Sequence, residues 1–443
     1  MKKSEENKAG KQGKIVEGFS QWPKKKKIDW IDGSLSGNEK DLYQELSSYW
    51  HDGEEEQSLF EGFSENTVSN FHLPYGIAPN FLINNNMYAV PMVTEESSVV
   101  AAASSAAKFW ARRGGVKTKV LGTVKNGHIS FLWLDKRATL ESKMPGWIAE
   151  MKAAVKPVTQ SMEKRGGGIR EVALKCIDEA SGIYQLFVKF ETCDSMGANF
   201  INTVLEEMAS KLEVLMSVNC AGGEVLLSIL SNYNPECLVL AELECPIQAL
   251  GEFPGGMDAE AFAHRFHMAV TVALKDTYRA VTHNKGIMNG VDAVALATAN
   301  DFRAIESGAH AYACRDGQYR SLSRCTLENN QFHFSMEIPL AVGTVGGLTR
   351  LHPLARRSLE ILGRPDAQEL MQIMAAVGLV QNFAAVKSLV TSGIQSGHMR
   401  MHLRNILQEN KIPEQFHNQI CQHFLDHKVS VSAVKDYYRE LSK

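Results

Sequence analysis

Residues 172–212 are VALKCIDEASGIYQLFVKFETCDSMGANFINTVLEEMASKL. The segments VALKCI and IYQLFVKFE are rich in β-branched and aromatic residues and flank a turn, which predicts two adjacent strands. In the segment after DSMGAN, apolar side chains recur at i, i+3, i+4, i+7 and i+11, and they are Ile201, Val204, Leu205, Met208 and Leu212. This stripe predicts a helix that buries one face and leaves its N-terminus free to face a ligand. The stretch therefore predicts an α/β unit.

The α/β unit has predicted limits on both sides. The chain then returns through strand-like LLSIL and LVLAEL to a large region that holds HNKG and TAND. We place the unit at residues 123–231, inserted between residues 15–122 and 232–393 of a large domain. Residues 1–14 have almost no apolar side chains, which predicts a disordered tail. Residues 394–443 begin with SGIQSGHMRMHLRN and continue as short helices, which predicts a small helical domain on a flexible joint.

Length and charge bound the class of protein. A chain of 443 residues is too long for one compact core, so two or three domains are expected. Its 44% apolar and 22% charged residues are typical of a globular protein. The formal net charge of -3 gives no field that attracts nucleic acid or an anionic membrane, and we expect neither as a partner.

The cysteines and the N-terminus indicate the compartment. None of the eight cysteines forms a CxxC pair or a zinc-like spacing, so we expect reduced thiols and no metal. The Lys-rich N-terminus is not followed by the apolar run of a secretory signal. No stretch approaches the roughly 18 uninterrupted apolar residues that span a bilayer. The sequence predicts a cytoplasmic protein.

Two segments place an ionisable group beside small residues. In VTEESSVVAAASSAAKFWARRGG a helix is predicted with Ser97 as its cap, so Glu96 lies at a helix N-terminus. There a carboxylate is either a partner of the helix dipole or a functional acid. In YRAVTHNKGIMNG, Lys285 is predicted to lie in a glycine-flanked turn, where it can stabilise an oxyanion or simply be solvated.

Two more segments have the same character. Asp301 in ALATANDFRAIESGAH is predicted to be the N-cap of the following helix. His398 and His402 in SGHMRMHLRN have the i, i+4 spacing of metal ligands, but no acidic partner lies between them and no third ligand is evident. DSMGAN before a helix can bind phosphate through backbone amides, although it lacks the GxGxxG spacing. Each signal is weak alone.

Taken together, VPMVTEESSVVAAAS, DSMGANFINT, HNKGIMNGVDAVALATANDFRAIESGAHAYACR and SGHMRMHLRN resemble, in order and rough spacing, the signature segments of HMG-CoA reductases of the bacterial type, class II. The resemblance runs from about Glu65 to the C-terminus. ENTV at 65–68 is similar to the family's ENVIG element, with Ser69 in place of glycine. The resemblance implies an α+β and α/β multidomain fold: a large, mostly helical HMG-CoA-binding domain, a small inserted dinucleotide-binding domain and a C-terminal helical flap.

The same resemblance assigns site residues. It implies that the catalytic residues are Glu96, Lys285, Asp301 and His398. It implies that the HMG portion is held by Ser98, Asn232, Arg279, Asn284 and Asn289. It assigns dinucleotide binding to Asp194, Met196, Gly197 and Asn199. It also implies a homodimer with the active site between subunits, and leaves a higher assembly open.

The reaction implied is the two-step, four-electron reduction of (S)-HMG-CoA to (R)-mevalonate and CoA, or its reverse, through a mevaldyl-CoA hemithioacetal and mevaldehyde. Lys285 would stabilise the oxyanion. His398 would protonate the departing CoA thiolate, and Glu96 would protonate the aldehyde oxygen. The alternatives are an acyl-CoA oxidoreductase that stops at the aldehyde and a catalytically silent CoA-binding protein.

Cofactor preference rests on AAVKPVTQSMEKRGGG. Relatives that prefer NADH are expected to carry an acidic residue seven positions before the glycine run, where this chain has Thr159. Threonine does not repel a 2′-phosphate, and nearby positive charge is available from Lys156, Lys164 and Arg165. The sequence favours NADPH, with use of NADH as the alternative.

Overall fold

The structure is a computed structural model that describes residues 15–32, 41–219, 223–391, 403, 406–424, 427 and 429–442. The chain divides into two compact units, Met1–Pro74 and Tyr75–Lys443. The predicted tail at residues 1–14 lies outside the described residues. The assignment of residues 15–122 and 232–393 to one domain stays a prediction.

The first unit is built from three short helices, α1 (Lys24–Asp32), α2 (Leu42–Ser47) and α3 (Glu54–Glu61). The Trp50 indole donates a hydrogen bond to the Val68 carbonyl at 3.0 Å. Within the ENTV-like element, Ser69 Oγ donates to the Leu46 carbonyl at 2.6 Å. The hydroxyl that replaces the family's glycine therefore ties this loop to the end of α2.

The second unit begins with a hairpin of β1 (Tyr75–Ile83) and β2 (Asn86–Val93). Asn84 and Asn85 turn it with φ of 47° and 68°. Helix α4 (Val99–Ala111) packs on β1. The helix is confirmed, but the prediction of Ser97 as its cap is wrong: the capping position is Ser98, whose backbone is left-handed (φ 75°) and whose side chain does not cap the helix.

One antiparallel sheet has the strand order β3-β8-β10-β9. Its strands are β3 (Lys117–Val120), β8 (Leu238–Pro246), β9 (Ser323–Glu328) and β10 (Gln331–Pro339). The helices around it are α8 (Ala259–Lys275), α9 (Thr277–Ala297), α10 (Phe302–Ala313), α11 (Gly347–Leu351), α12 (Pro353–Ile361) and α13 (Ala367–Val390). Side chains from this sheet and from α4, α8, α9 and α13 form one hydrophobic cluster with Trp110, Phe266, Phe332 and Phe383 at its centre.

A second antiparallel sheet has the order β5-β6-β4-β7. Its strands are β4 (Lys125–Leu132), β5 (Gly168–Asp178), β6 (Ile183–Glu191) and β7 (Glu224–Leu230), and its helices are α5 (Arg137–Ala154), α6 (Lys156–Glu163) and α7 (Ala198–Asn219). The predicted strand pair and the helix after DSMGAN are confirmed. The predicted stripe on α7 is buried and belongs to a hydrophobic cluster separate from that of the first sheet.

Helices α9 and α13 pack closely, which explains Gly290. The prediction that HNKG forms a turn is wrong, because these residues lie inside α9. A Cβ on Gly290 would stand 2.9 Å from both Gln381 Cβ and the Val377 carbonyl oxygen of α13. The glycine is required for helix approach. Helix α13 is long and apolar enough to cross a membrane, but most of it is buried among the other elements, which accounts for its composition.

Near the C-terminus, helices α14 (Glu414–His423) and α15 (Val431–Leu441) are described. Leu403, Ile406 and Leu407, the predicted apolar stripe, are buried in a small cluster with Ile420 and Val434. His398 lies outside the described residues.

Candidate active site

Glu96 and Lys285 are brought together by two different elements. Glu96 follows β2, and its backbone N–H donates to Thr94 Oγ1, while Lys285 projects from the middle of α9. The Lys285 ammonium donates to Glu96 Oε2, and the two side chains are 59% and 37% exposed. An exposed pair of this kind contributes only about 0.2–1 kcal/mol, so a bound substrate can separate it at little cost.

The ion pair lines a cavity of about 200 Å³. Asn289, one turn beyond Lys285 on α9, lines it as well, as do Thr94 and Glu95. Ser98 stands two residues beyond Glu96 in a strained left-handed conformation, a feature that concentrates at functional sites. Of the residues assigned to the HMG portion, Asn289 is thus the one that shares the cavity with the ion pair.

Asn284 has a different role from the predicted one. Its side chain is fully buried, donates to the Arg320 carbonyl at 2.9 Å and accepts from Leu322 N at 3.0 Å. Its neighbour His283 is buried too and bonds to Ser323 Oγ at 2.6 Å; burial, aided by the charge of Arg279, lowers the pKa of His283 to about 3. These contacts fix the rotation of α9 that presents Lys285. Asn284 therefore holds this helix in place and does not line the Lys285 cavity.

Arg279 and Asn232 lie outside the Lys285 cavity. Arg279 precedes Lys285 by six positions, which turns it about 120° away around α9. Burial lowers the pKa of its half-buried guanidinium, and the described residues include no carboxylate in an ion pair with it. Asn232 is exposed, and its backbone packs against Gly308 of α10.

A second cavity, of about 330 Å³, is formed where α7 begins. Residues of the DSMGAN segment line it together with Asp301 and with the loop before α11. Met196, Gly197 and Asn199 are brought together here, and Gly197 adopts φ of 90°, which an L side chain rarely permits. The first N–H groups of a 22-residue helix have no intrahelical acceptor, so this wall suits an anionic ligand.

Asp301 is the N-cap of α10, as predicted. Its carboxylate accepts from Arg303 N and Ala304 N, both at 3.1 Å, and remains 41% exposed at the second cavity. Glu96 and Lys285 line the first cavity and Asp301 the second. The corner between α9 and α10 contributes to both cavities, through Leu296 to the first and Ala299 to the second.

Asp194 binds a helix in this structure. Its Oδ1 accepts from Ala367 N at 3.0 Å, at the first turn of α13, and its carbonyl accepts from Thr344 N at 2.9 Å. It lines a third cavity, of about 290 Å³, with Lys125 and Arg170. The loop between β6 and α7 is therefore tied to the elements around the first sheet.

Thr159 and Lys156 already have a partner within the chain, the carboxylate of Glu163. Thr159 is buried, and its Oγ1 donates to Glu163 Oε1 at 2.8 Å. Lys156 forms an ion pair with that same Glu163, so its charge is already partly neutralised. Arg165 donates to the Ser161 carbonyl on its own helix. The contact between Thr159 and Glu163 spans one helical turn, so it can be recognised only once the helix is known.

Two acidic residues of the Lys285 cavity were also missed. Asp292 of α9 and Glu306 of α10 both line it. Asp292 is seven positions after Lys285, the two-turn spacing that keeps side chains on one helix face. That spacing was a signal in the sequence, but only for a helix, and HNKG had been predicted to be a turn.

The family model for hydroxymethylglutaryl-coenzyme A reductase matches residues 29–403. A 3-hydroxy-3-methylglutaryl-coenzyme A reductase of Archaeoglobus fulgidus is 39% identical over 346 residues, 77% of this chain and 76% of the relative. A class II 3-hydroxy-3-methylglutaryl-CoA reductase structure from Streptococcus pneumoniae, bound to NADPH in open conformations, is 36% identical with a TM-score of 0.71, covering 85% of this chain and all of that one.

A further Streptococcus pneumoniae structure of this reductase is 34% identical over 96% of this chain and all of that one, with a TM-score of 0.72. The chain belongs to the hydroxymethylglutaryl-coenzyme A reductase family. The resemblance drawn from the four motifs is confirmed, and so is the class, an NAD(P)-dependent oxidoreductase with a mixed helix and sheet fold.

Proposed function

We propose that this chain reduces (S)-HMG-CoA to (R)-mevalonate and CoA with NADPH. The observation that carries the proposal is the pairing of Lys285 with Glu96 in one cavity, at a helix corner whose other side holds Asp301 and the start of α7. In reduction of a thioester, a cation can stabilise the oxyanion and an acid can supply the proton, while a helix N-terminus can bind the phosphates of the cofactor.

The cavity at the start of α7 fits the dinucleotide. Its wall of backbone amides suits a pyrophosphate, and added Cβ atoms on Gly346 or Gly347 would project into open space there. NADPH is the cofactor that the similar Streptococcus pneumoniae structure holds. When bound, it supplies hydride. Met196, Gly197 and Asn199 would hold its pyrophosphate, Asp301 lines the same cavity, and Asp194 would position the loop through α13.

Lys285 stabilises the negative charge that develops on the substrate oxygen. Addition of hydride to the thioester carbon turns the carbonyl oxygen into an oxyanion, and so does the later reduction of the aldehyde. An ammonium fixed on α9 meets that charge without having to be reoriented from water. Its present partner, Glu96, is only weakly held, so the substrate oxygen can take the place of the carboxylate beside Lys285.

His398 and Glu96 are the proton donors of the two reduction steps. Collapse of the mevaldyl-CoA hemithioacetal expels CoA thiolate, and His398 supplies its proton. Glu96 then protonates the aldehyde oxygen as mevalonate forms. The HMG carboxylate pairs with Arg279, whose half-buried guanidinium gains a counter-ion, while Ser98, Asn289 and Asn232 bind the rest of the HMG portion.

The domain roles and the assembly follow the same proposal. Residues 123–231 carry the dinucleotide, residues 15–122 and 232–393 carry HMG-CoA, and residues 394–443 close over the site as a flap. The active unit is a homodimer, which would bring Arg279 of one subunit to the cavity of the other. Exposed apolar side chains on α8 and α9 support this, and they are Met268, Val272, Tyr278 and Val281.

The experiment that tests the function is oxidation of NADPH dependent on HMG-CoA, followed by absorbance and by identification of mevalonate. An inactive protein would contradict it.

A further inference from the structure

Two carboxyl groups that line the Lys285 cavity, those of Asp292 and Glu306, have no assigned role in either hydride step. Asp292 projects from α9 and Glu306 from α10, and both are partly buried. Other charged groups that line the cavity are Lys285 from α9, and Glu95 and Glu96 from the segment after β2. Helix α13 packs on the far side of α9 through Val377 and Gln381, and none of its charged residues lines the cavity.

Asp292 and Glu306 form a pair of carboxyl groups between which one proton can be shared. Asp292 Oδ1 is enclosed and receives no hydrogen bond from any N–H or hydroxyl donor in the described part of the chain. Its hydrogen-bonding neighbour is the carboxyl group of Glu306. An ionised carboxylate can only accept, so a bond between two carboxyl groups requires a proton on one of them. Burial, reinforced by the bond and charge of Glu306, raises the pKa of Asp292 to about 8.

Glu96 has to carry a proton before it can act as the acid in the aldehyde step. A carboxylate paired with the Lys285 ammonium is ionised, yet the aldehyde step calls for an acid at this position. The cavity of about 200 Å³ has room for the water molecules that can carry a proton between groups on its wall, since one water occupies about 30 Å³.

We propose that Asp292 and Glu306 share one proton at neutral pH and supply it to Glu96 for reduction of the aldehyde. The proton leaves the pair, binds the Glu96 carboxylate and then bonds to the aldehyde oxygen as hydride from NADPH adds to the carbon. The pair is left with both carboxylates ionised and regains its proton from solvent. Asp292 and Glu306 are thus positioning residues that act through Glu96, and this role rests on the proposed function.

The kinetic test uses mevaldehyde and NADPH, so that CoA release is not involved. In the unmodified protein, kcat/KM should fall above about pH 8 as the pair loses its proton. Asp292→Asn should remove that alkaline fall, and Glu306→Gln should move it to lower pH because burial alone then raises the pKa of Asp292. Both variants should lower the rate at pH 7 by about tenfold or more. Glu328→Gln, which removes an exposed carboxylate at the end of β9, should keep both the fall and the rate. Unchanged pH profiles in both pair variants would overturn the proposal.

An infrared titration tests the shared proton without any turnover. The carbonyl stretch of a protonated carboxyl group, identified by its shift in D₂O, should disappear as the pH is raised through about 8. In Glu306→Gln, in which burial alone still raises the pKa of Asp292, the band should disappear at lower pH, and Glu328→Gln, at the exposed end of β9, should retain it as in the unmodified protein. A protein that lacks the band contradicts the shared proton. A protein that shows the band but reduces neither HMG-CoA nor mevaldehyde contradicts the proposed function instead, and the delivery step with it.

Discussion

Glu96 and Lys285 form an ion pair although 189 positions separate them in the chain. One follows a strand of the first hairpin, and the other projects from a helix that is buried along much of its length. The pair is exposed enough to contribute little to stability, so its place on a cavity wall is better explained by chemistry than by folding.

Replacing Lys285 by alanine should remove the charge partner of the oxyanion and leave the fold intact, because the side chain is exposed. Loss of one electrostatic stabiliser commonly lowers the rate about a hundredfold or more. We expect both the HMG-CoA and mevaldehyde reactions to fall by that factor in steady-state assays. Lys275→Ala, at the exposed end of α8, is the matched control and should keep its activity. Near-normal turnover in Lys285→Ala would show that the assignment is wrong.

Changing His398 to glutamine should separate the two reductions, because only the first expels a thiolate that needs a proton. NADPH oxidation with HMG-CoA should drop, while reduction of added mevaldehyde should largely survive. His402→Gln, four positions along the same segment, provides the control. Equal losses in both reactions for His398→Gln would mean that this histidine has another role.

Cofactor preference needs a double variant. Thr159→Asp alone would place a new carboxylate beside Glu163, which already bonds to Thr159 and pairs with Lys156. Like charges at that distance destabilise α6. In the Glu163→Gln background, the added aspartate should raise the NADH to NADPH ratio of kcat/KM, with Glu163→Gln alone as the control. A ratio that does not move would remove position 159 from the cofactor site.

The packing of α9 on α13 makes a prediction about stability. Gly290→Ala would bring a methyl group against the α13 backbone and should destabilise the protein by about 1–3 kcal/mol in denaturant unfolding. At Gly286 the nearest atoms to a new Cβ are 3.8 Å away, so Gly286→Ala should be neutral or gain up to about 1 kcal/mol of helix propensity. The reverse order of stabilities would contradict this account of the glycines.

The sequence predicted elements well where one periodic pattern was decisive. The stripe on α7, the strands before it and the Asp301 cap were all confirmed, because each depends on local spacing. HNKG failed since glycine is typical of turns, whereas Gly286 lies inside α9 and is not required there, because a Cβ on it would come no closer than 3.8 Å to its neighbours. The approach of α13 requires Gly290 instead. The pairing of Asp292 with Glu306 joins two helices, and no local pattern contains that contact.

The site was predictable as a set of residues but not as an arrangement. Four short motifs identified Glu96, Lys285 and Asp301, yet only the folded chain places the first two in one cavity and the third in the next. Asn284 was predicted to bind substrate and instead holds α9 to the segment before β9, because a buried amide needs partners for both its donor and its acceptor.

The central claim is tested most directly by the stoichiometry of the reaction with limiting HMG-CoA and excess NADPH. We predict two NADPH oxidised and one CoA thiol released for each HMG-CoA consumed, with mevalonate as the product. One NADPH per CoA, with aldehyde accumulating, would contradict the two-step account and indicate an enzyme that stops after the first reduction. No oxidation at all would indicate a CoA-binding protein without this activity.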